Sequence, residues 1–175
     1  MLVGMMGAGK TAVGTCLARM LGTRFVDSDD EIERAARLTI PEIFARDGEV
    51  FFRAKEAQVI ARLLDGPVGV LSTGGGAFTS ARTRAAVARR GVSVWLDADI
   101  DLLWQRVRSR KTRPLLRTDD PRGTLARLMQ DRAPVYALAD VKVTSQPDYS
   151  IEDTAMAVIE ALETRGEILE KGTVS

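Results

Sequence analysis

The chain has 175 residues, 45% of them hydrophobic and 28% charged, which suits one globular domain with a single core. Lys and Arg number 25 against 24 Asp and Glu, a balance that argues against nucleic acid or an anionic membrane as a partner. The sequence contains no histidine, which excludes Ser-His and Cys-His nucleophiles and histidine metal sites. The single cysteine, Cys16, excludes an internal disulfide and fits a reducing compartment, and we expect a buried, inert thiol.

Short apolar strands alternate with helix patterns along the whole chain. The N-terminal apolar stretch is too short and lacks the basic residues of a signal peptide, and no run approaches a membrane span, so we expect a cytoplasmic protein. The predicted strands are 1–3, 24–26, 68–71, 92–96 and 141–143. This alternation predicts a parallel sheet with helices on both faces, and ligands at the carboxyl ends of its strands. Only three residues precede Gly4, so either the natural chain starts earlier or the first strand is trimmed.

The segment 4–11, G-M-M-G-A-G-K-T, matches the P-loop pattern G-x-x-x-x-G-K-[ST] at every fixed position. Backbone N–H groups of such a loop surround phosphate oxygens, and the helix that follows points its positive end at them. The alternative, a glycine-rich turn that binds nothing, is disfavoured by the complete match and by the flanking strand and helix. Lys10 is expected to reach the β- and γ-phosphates and Thr11 to ligate Mg²⁺. The candidate nucleotide-binding residues of this segment are Gly7, Ala8, Gly9, Lys10, Thr11 and Ala12.

An acidic pair follows the first helix in the stretch F-V-D-S-D. If the strand continues to Asp29, the side chains of Asp27 and Asp29 point the same way. One carboxylate can then hold hydrated Mg²⁺, and the other can accept a proton from an attacking hydroxyl. The alternative is that Asp29 or Asp30 caps the next helix; beside a P-loop, the catalytic interpretation is favoured. Asp97 follows another strand, but with no second acid behind it we interpret it as structural.

Arg53 and Glu56 share one helical face at i and i+3. They form either a solvated ion pair or an arginine fork for a substrate carboxylate, aligned by Glu56. Helix signals nearby are Thr39 as an N-cap and Asp47-Gly48 as an element end, with Ser80 as a further N-cap.

Three successive glycines, Gly74, Gly75 and Gly76, follow the third predicted strand. They permit a tight turn, a second phosphate cradle or a floor for a small ligand. Since residues 4–11 already supply the phosphate cradle, we interpret the glycines as a ligand floor. Downstream, residues 106–122 fit neither the helix nor the strand period and predict a long polar, mobile loop that closes over the phosphates and excludes water.

Taken in order, G-M-M-G-A-G-K-T, F-V-D-S-D, F-F-R-A-K-E, S-T-G-G-G, R-P-L-L and D-R-A-P-V-Y resemble the shikimate kinase family, from about the first residue to about residue 159. The resemblance implies ATP-dependent phosphorylation of the 3-hydroxyl of shikimate, a step towards chorismate and the aromatic amino acids. It also implies a P-loop α/β sandwich with a five-stranded parallel sheet. A single domain over 1–163 would carry a substrate-binding region at 28–64 and a lid at 108–122, with a tail at 164–175, and we expect a monomer.

The resemblance also implies residue roles. Asp27 would hold Mg²⁺ and Asp29 would contact the acceptor hydroxyl. The remaining implied contacts are Arg53 and Arg132 with the shikimate carboxylate, aligned by Glu56; Gly74, Gly75 and Gly76 with the ring; Arg113 with the phosphates; and Arg106 with the adenine. The family usually has an arginine two residues before a proline near the C-terminus, where this chain reads S-Q-P-D-Y-S-I; Tyr149 or Pro147 would take over that contact.

Two other functions remain open from the residues. A gluconate-kinase-like enzyme would share the P-loop, although paired arginines and a glycine floor favour a compact cyclic carboxylate. A nucleotide-dependent switch would require an N-K-x-D guanine motif or a Walker B acid pair with a sensor arginine, and the sequence contains neither.

Overall fold

The computed structural model describes residues 1–109 and 114–166, and five parallel strands form one sheet in them. The strands are β1 Leu2–Val3, β2 Arg24–Asp27, β3 Gly69–Ser72, β4 Val94–Ala98 and β5 Val141–Ser145. Each overlaps its predicted range. The strand order is β2-β3-β1-β4-β5, with Leu2 paired to Ser72 on one side and to Val94 on the other. The two-residue β1 is therefore the central strand, and its carboxyl end opens directly into the segment 4–11.

The helices between the strands are α1 Lys10–Met20, α2 Ser28–Ala36, α3 Ile40–Leu64, α4 Ala81–Arg90, α5 Ile100–Val107, α6 Pro121–Tyr136 and α7 Ile151–Thr164. Short 3₁₀ helices lie at Ala77–Thr79 and Pro114–Leu116. Helix α1 packs on α7, α3 on α4, and α5 on α6. Cys16 is buried in the main core, as predicted. The predicted parallel α/β fold is confirmed.

Helix α3 begins at its predicted N-cap and is interrupted at a predicted element end. Thr39 caps it in a reciprocal capping box with Glu42, and Ser80 caps α4, both as predicted. Gly48 has φ 82° and ψ 168°, which is not helical, so one helical segment ends at Asp47-Gly48 as predicted. A second segment follows directly and runs to Leu64, and Phe52, 2% exposed, buries its ring in that segment.

The structure corrects the prediction for Arg106, which was expected to lie in an irregular loop. It lies in the last turn of α5, because Leu103 and Val107 fix that helix in the core at 1% and 2% exposure. Residues 110–113, which include Arg113 of the predicted lid, lie outside the described residues, as do residues 167–175 of the predicted tail. Among the described helices none combines the length and apolarity needed to cross a bilayer.

Candidate active site

The segment 4–11 has the geometry of a phosphate cradle. Gly4 has φ 135°, and a Cβ there would lie 2.5 Å from the carbonyl oxygen of Leu96. Gly9, with φ 89°, precedes α1 as its N-cap without a side-chain hydrogen bond, so the first N–H groups of α1 face the loop. The ammonium of Lys10, 9% exposed, donates to the carbonyl oxygens of Gly4 and Met5, both at 2.9 Å. Fixed backbone donors and a buried cation therefore meet at one point.

Thr11 and Asp27 bring two hard oxygen ligands together. The Thr11 hydroxyl donates to Asp27 Oδ2 at 3.0 Å, although the two residues come from different elements. Mg²⁺ is usually held by one or two protein oxygens together with substrate phosphates and water, and this pair beside a phosphate cradle fits that ion. Within residues 1–109 and 114–166, no group of three or more His, Cys, Asp or Glu side chains is arranged to hold a metal ion by itself.

The acidic pair is arranged differently from the predicted extended strand. Strand β2 ends at Asp27, and Asp29 lies in the first turn of α2. Asp27 Oδ1 accepts from the backbone N–H of Asp29 at 3.0 Å, so Asp27 itself caps α2, rather than Asp29 or Asp30. Both carboxylates nevertheless border the same cavity. A helix turn, not strand alternation, thus places them on the cavity wall.

The last of the three glycines accommodates Arg53. A Cβ on Gly76 would lie 2.5 Å from Arg53 Nη2 and 2.6 Å from its Cζ. None of the three glycines has a positive φ, so a strained turn does not explain them. Arg53 also lies over the rings of Phe52 and Phe44, with Cζ 5.2 and 5.9 Å from their centroids. Gly76 is therefore small because the guanidinium occupies the space of a side chain.

Glu56 is buried behind this guanidinium. Its carboxylate is 2% exposed, and Oε2 accepts from Arg53 Nη1 at 2.8 Å. Burial raises the pKa of Glu56 above its ordinary value, and the charge and hydrogen bond of Arg53 oppose that shift. Glu56 Oε1 has no hydrogen-bond partner within the described chain. The interpretation as a solvated pair does not fit this burial, because a buried carboxylate fixes the arginine far more firmly than an exposed one.

Gly74 and Gly75 border the other predicted acceptor residues. A Cβ on Gly74 would lie 2.9 Å from Asp29 Oδ1 and 3.1 Å from Glu56 Oε1. A Cβ on Gly75 would lie 3.4 Å from Arg132 Nη1 and 3.5 Å from the carbonyl oxygen of Gly4. The glycines thus join the P-loop to the predicted acceptor residues, although the sequence separates them by tens of positions.

Tyr136 is a site residue that the sequence reasoning missed. Its ring is 1% exposed, and its hydroxyl donates to the carbonyl of Gly75 and lies 3.8 Å from Met5 Sδ. Burial raises the pKa of this phenol, while Arg132 beside it acts in the opposite direction. The spacing of four residues from Arg132 in D-R-A-P-V-Y places both side chains on one face of α6 and could have indicated the tyrosine.

A cavity of about 940 Å³ is lined by the P-loop together with Asp29, Gly74 and Gly75 and with Arg106, Ser145 and Tyr149. The predicted acceptor residues Arg53 and Arg132 are not among its lining residues. Arg106 donates to the carbonyl oxygen of Gly7 at 3.3 Å, which holds its guanidinium beside the P-loop. Asp97, which does not line the cavity, forms an ion pair with Lys142 at 2.9 Å. This contact agrees with the interpretation of Asp97 as a structural residue.

Comparison with known proteins identifies the family. The family model for shikimate kinase matches residues 6–163. The chain belongs to the shikimate kinase family. It is 61% identical over 169 residues to a shikimate kinase of Cereibacter sphaeroides, covering 97% of this chain and 84% of that protein, and 59% identical over 169 residues to one of Ruegeria pomeroyi, covering 97% and 87%. A solved shikimate kinase from Acinetobacter baumannii in complex with shikimate superposes with a TM-score of 0.88 at 41% identity, covering 94% of this chain and 92% of that one.

Membership of the shikimate kinase family confirms the predicted ATP-dependent phosphotransferase. It favours the shikimate reaction over the gluconate-kinase-like alternative and over a non-catalytic switch. The individual residue roles are a separate matter, and they depend on the contacts described above.

Proposed function

We propose that the chain transfers the γ-phosphoryl group of ATP to the 3-hydroxyl of shikimate, with the acceptor held between Asp29 and the arginines Arg53 and Arg132. The observation that carries the proposal is the placement of the three glycines. Gly74 lies against Asp29, Gly75 against Arg132 and the P-loop, and Gly76 against Arg53. A small carboxylated ring resting on this floor would meet cations at one end and a carboxylate at the other.

The reaction itself needs little covalent chemistry from the protein. The acceptor hydroxyl oxygen attacks the γ-phosphorus of ATP. The bond between that phosphorus and the oxygen that bridges the β- and γ-phosphates breaks, and ADP leaves. Asp29 accepts the hydroxyl proton, and Lys10 together with the N-terminal N–H groups of α1 stabilises charge on the phosphates. Arg113, outside the described residues, is proposed to add a cation from the lid. The glycine floor and the arginines contribute by orienting the acceptor.

Mg²⁺ belongs to the proposal because Thr11 and Asp27 offer adjacent oxygens beside the cradle. When bound, the ion would neutralise charge on the phosphates. The nucleotide would be contacted by residues 7–12 and Arg106. We also propose a monomer in the cytoplasm, the location being supported by the single cysteine, which fits a reducing compartment. Residues 28–64 would form the acceptor-binding region and 108–122 the lid of a single domain over 1–163.

The direct test is ADP release by purified protein supplied with ATP and Mg²⁺, with either shikimate or gluconate as acceptor. We expect turnover with shikimate, none with gluconate, and loss of turnover when EDTA removes the metal. A product phosphorylated at the 3-hydroxyl, identified by NMR, completes the test. Turnover with gluconate alone would overturn the acceptor assignment, and nucleotide binding without any turnover would favour the switch. Size-exclusion chromatography with light scattering measures the molar mass in solution and so tests the proposed monomeric state.

A further inference from the structure

The Tyr136 hydroxyl joins helix α6 to the glycine floor and to the P-loop. Tyr136 is the last residue of α6 and is 1% exposed. Its hydroxyl donates to the carbonyl oxygen of Gly75 and lies 3.8 Å from Met5 Sδ in the P-loop. Its ring packs beside Trp95 of β4, with the two ring centroids 6.0 Å apart. The phenol oxygen is therefore held in one place, next to the middle glycine of the floor.

Arg132 lies one helical turn before Tyr136, and the spacing of four residues puts both side chains on one face of α6. Its Nη1 is 3.4 Å from the position that a Cβ on Gly75 would take. Burial raises the pKa of the phenol, and the charge of Arg132 beside it opposes that rise. Because the hydroxyl proton is directed at Gly75, the lone pairs of the phenol oxygen are available to this guanidinium.

The two arginines of the proposed acceptor site are held in different ways. Arg53 forms salt bridges with Glu49 and with the buried Glu56. Within residues 1–109 and 114–166, Arg132 forms a salt bridge with no carboxylate. A carboxylate cancels part of the charge of the arginine that it orients, whereas a neutral phenol orients the guanidinium and leaves its charge available to a ligand.

We propose that Tyr136 is a positioning residue for the acceptor: its hydroxyl donates to Gly75, accepts a hydrogen bond from Arg132, and so directs that guanidinium at the acceptor carboxylate. The inference rests on the proposed function, in which Arg132 binds the carboxylate of shikimate. Because Tyr136 is buried, it acts through Arg132 and makes no contact of its own with the acceptor. Loss of the hydroxyl should therefore affect the acceptor and not the nucleotide.

The kinetic test is Tyr136→Phe, which keeps the ring and removes the hydroxyl. In steady-state ADP release we expect the shikimate KM to rise by about three- to tenfold, the scale of one neutral hydrogen bond, and the KM for ATP to stay within about twofold. In an Arg132→Ala background, Tyr136→Phe should change the shikimate KM by less than about twofold, because the group that it positions is already gone.

Ser93→Ala is the matched control for lost stability. It removes a buried hydroxyl that donates to Asp140 Oδ2 at 2.7 Å, and Ser93 does not line the cavity. Both Ser93→Ala and Tyr136→Phe should lower the melting temperature, since each removes a buried hydrogen bond. Only Tyr136→Phe should change the shikimate KM.

A second measurement needs neither acceptor nor turnover, and it keeps the Tyr136 hydroxyl in place. The chain has two tyrosines, so tyrosine labelled with ¹³C at Cζ gives two NMR signals, and Tyr149→Phe identifies the signal of Tyr136. Arg132→Ala should shift that signal, because the phenol oxygen loses a donor. An unmoved signal would overturn the proposal.

Three kinetic results would also overturn it: an unchanged shikimate KM in Tyr136→Phe, an equal rise in both KM values, or additive effects in the Arg132→Ala background. Absence of turnover with shikimate would instead refute the proposed function. The NMR comparison stays readable in that case, so the two proposals can fail separately.

Discussion

Replacing Gly76 with alanine should weaken shikimate binding and leave ATP binding intact. Gly76 has φ −94° and ψ −11°, a conformation that alanine adopts without strain, so the whole effect comes from the added methyl group. That methyl would lie 2.5 Å from Arg53 Nη2 and 2.6 Å from both Cζ and Nη1. The guanidinium would have to leave the position in which it faces the acceptor.

The size of the effect follows from these distances. A carbon in ordinary contact with its neighbours needs about 3.5 Å, so the guanidinium must retreat by about 1 Å. A retreat of that size carries Arg53 Nη1 out of hydrogen-bond range of Glu56 Oε2, now 2.8 Å away. The same displacement takes Arg53 away from the acceptor carboxylate, and a hydrogen bond between charged groups contributes about 1.5 to 3 kcal/mol, so the shikimate KM should rise by about 10- to 150-fold. The melting temperature should also fall, because the displaced guanidinium leaves the buried Glu56 carboxylate without its ion pair.

The assay is steady-state ADP release, varying shikimate at saturating ATP and then the reverse. We expect the KM for ATP to stay within about twofold, the scale of an ordinary surface substitution. Gly91→Ala is the matched control: it makes the same chemical change where a Cβ would have no neighbour within 4 Å in the described structure, on extended backbone with φ −179°. Both KM values of that variant should match those of the unchanged chain.

A double-mutant cycle with Arg53→Ala checks the mechanism. Arg53→Ala alone should raise the shikimate KM by a similar factor, and adding Gly76→Ala should then change it little, because the group displaced by the methyl is already gone. Additive effects would refute the displacement of Arg53, and an unchanged KM in Gly76→Ala would remove Gly76 from the acceptor site altogether.

Three further substitutions test the remaining roles. Asp29→Asn should lower kcat by about 10²- to 10⁴-fold, the range for a general base, with ADP affinity unchanged by calorimetry; surviving turnover would make Asp29 a structural residue. Arg113→Ala should lower kcat by about a hundredfold at a nearly unchanged shikimate KM, whereas normal turnover would exclude it from catalysis. Burial raises the pKa of Glu56, so its contribution to stability is fullest below its ordinary pKa of 4.5 and declines as pH rises through the folded value. Glu56→Gln cannot ionise, so its melting temperature should improve relative to the unchanged chain with rising pH; a constant difference would contradict this.

Features that depend on local sequence were predictable. The five strands are recognisable as apolar runs, and the P-loop is recognisable as a contiguous motif. The N-cap residues Thr39 and Ser80 accept hydrogen bonds from backbone N–H groups three residues further on. The end predicted at Asp47-Gly48 is local in the same way, and the helical geometry is interrupted at Gly48. Arg106 was wrongly placed in a loop, because its helix is held by Leu103 and Val107, which pack into a core built from residues distant in the sequence.

Features that depend on long-range contacts were not predictable. Tyr136 reaches Gly75 across 61 residues, and Thr11 meets Asp27 across 16. The contact between Tyr136 and Gly75 is not specified by the sequence, although the spacing of four residues from Arg132 could have indicated the tyrosine. Thr11 and Asp27 were predicted as Mg²⁺ ligands because each belongs to a recognisable motif.

The three glycines show why a motif and its physical reason can differ. Three successive glycines in the sequence suggested a need for backbone freedom, yet none of the three has a positive φ. Functional groups occupy the space of a side chain at two of them: a carboxylate oxygen lies beside Gly74 and the Arg53 guanidinium beside Gly76. A Cβ on Gly75 would be in ordinary contact with Arg132 and with the P-loop. In the proposed function, the glycine floor would align the acceptor with the phosphate through its closeness to these groups, and backbone flexibility would have no part in that role.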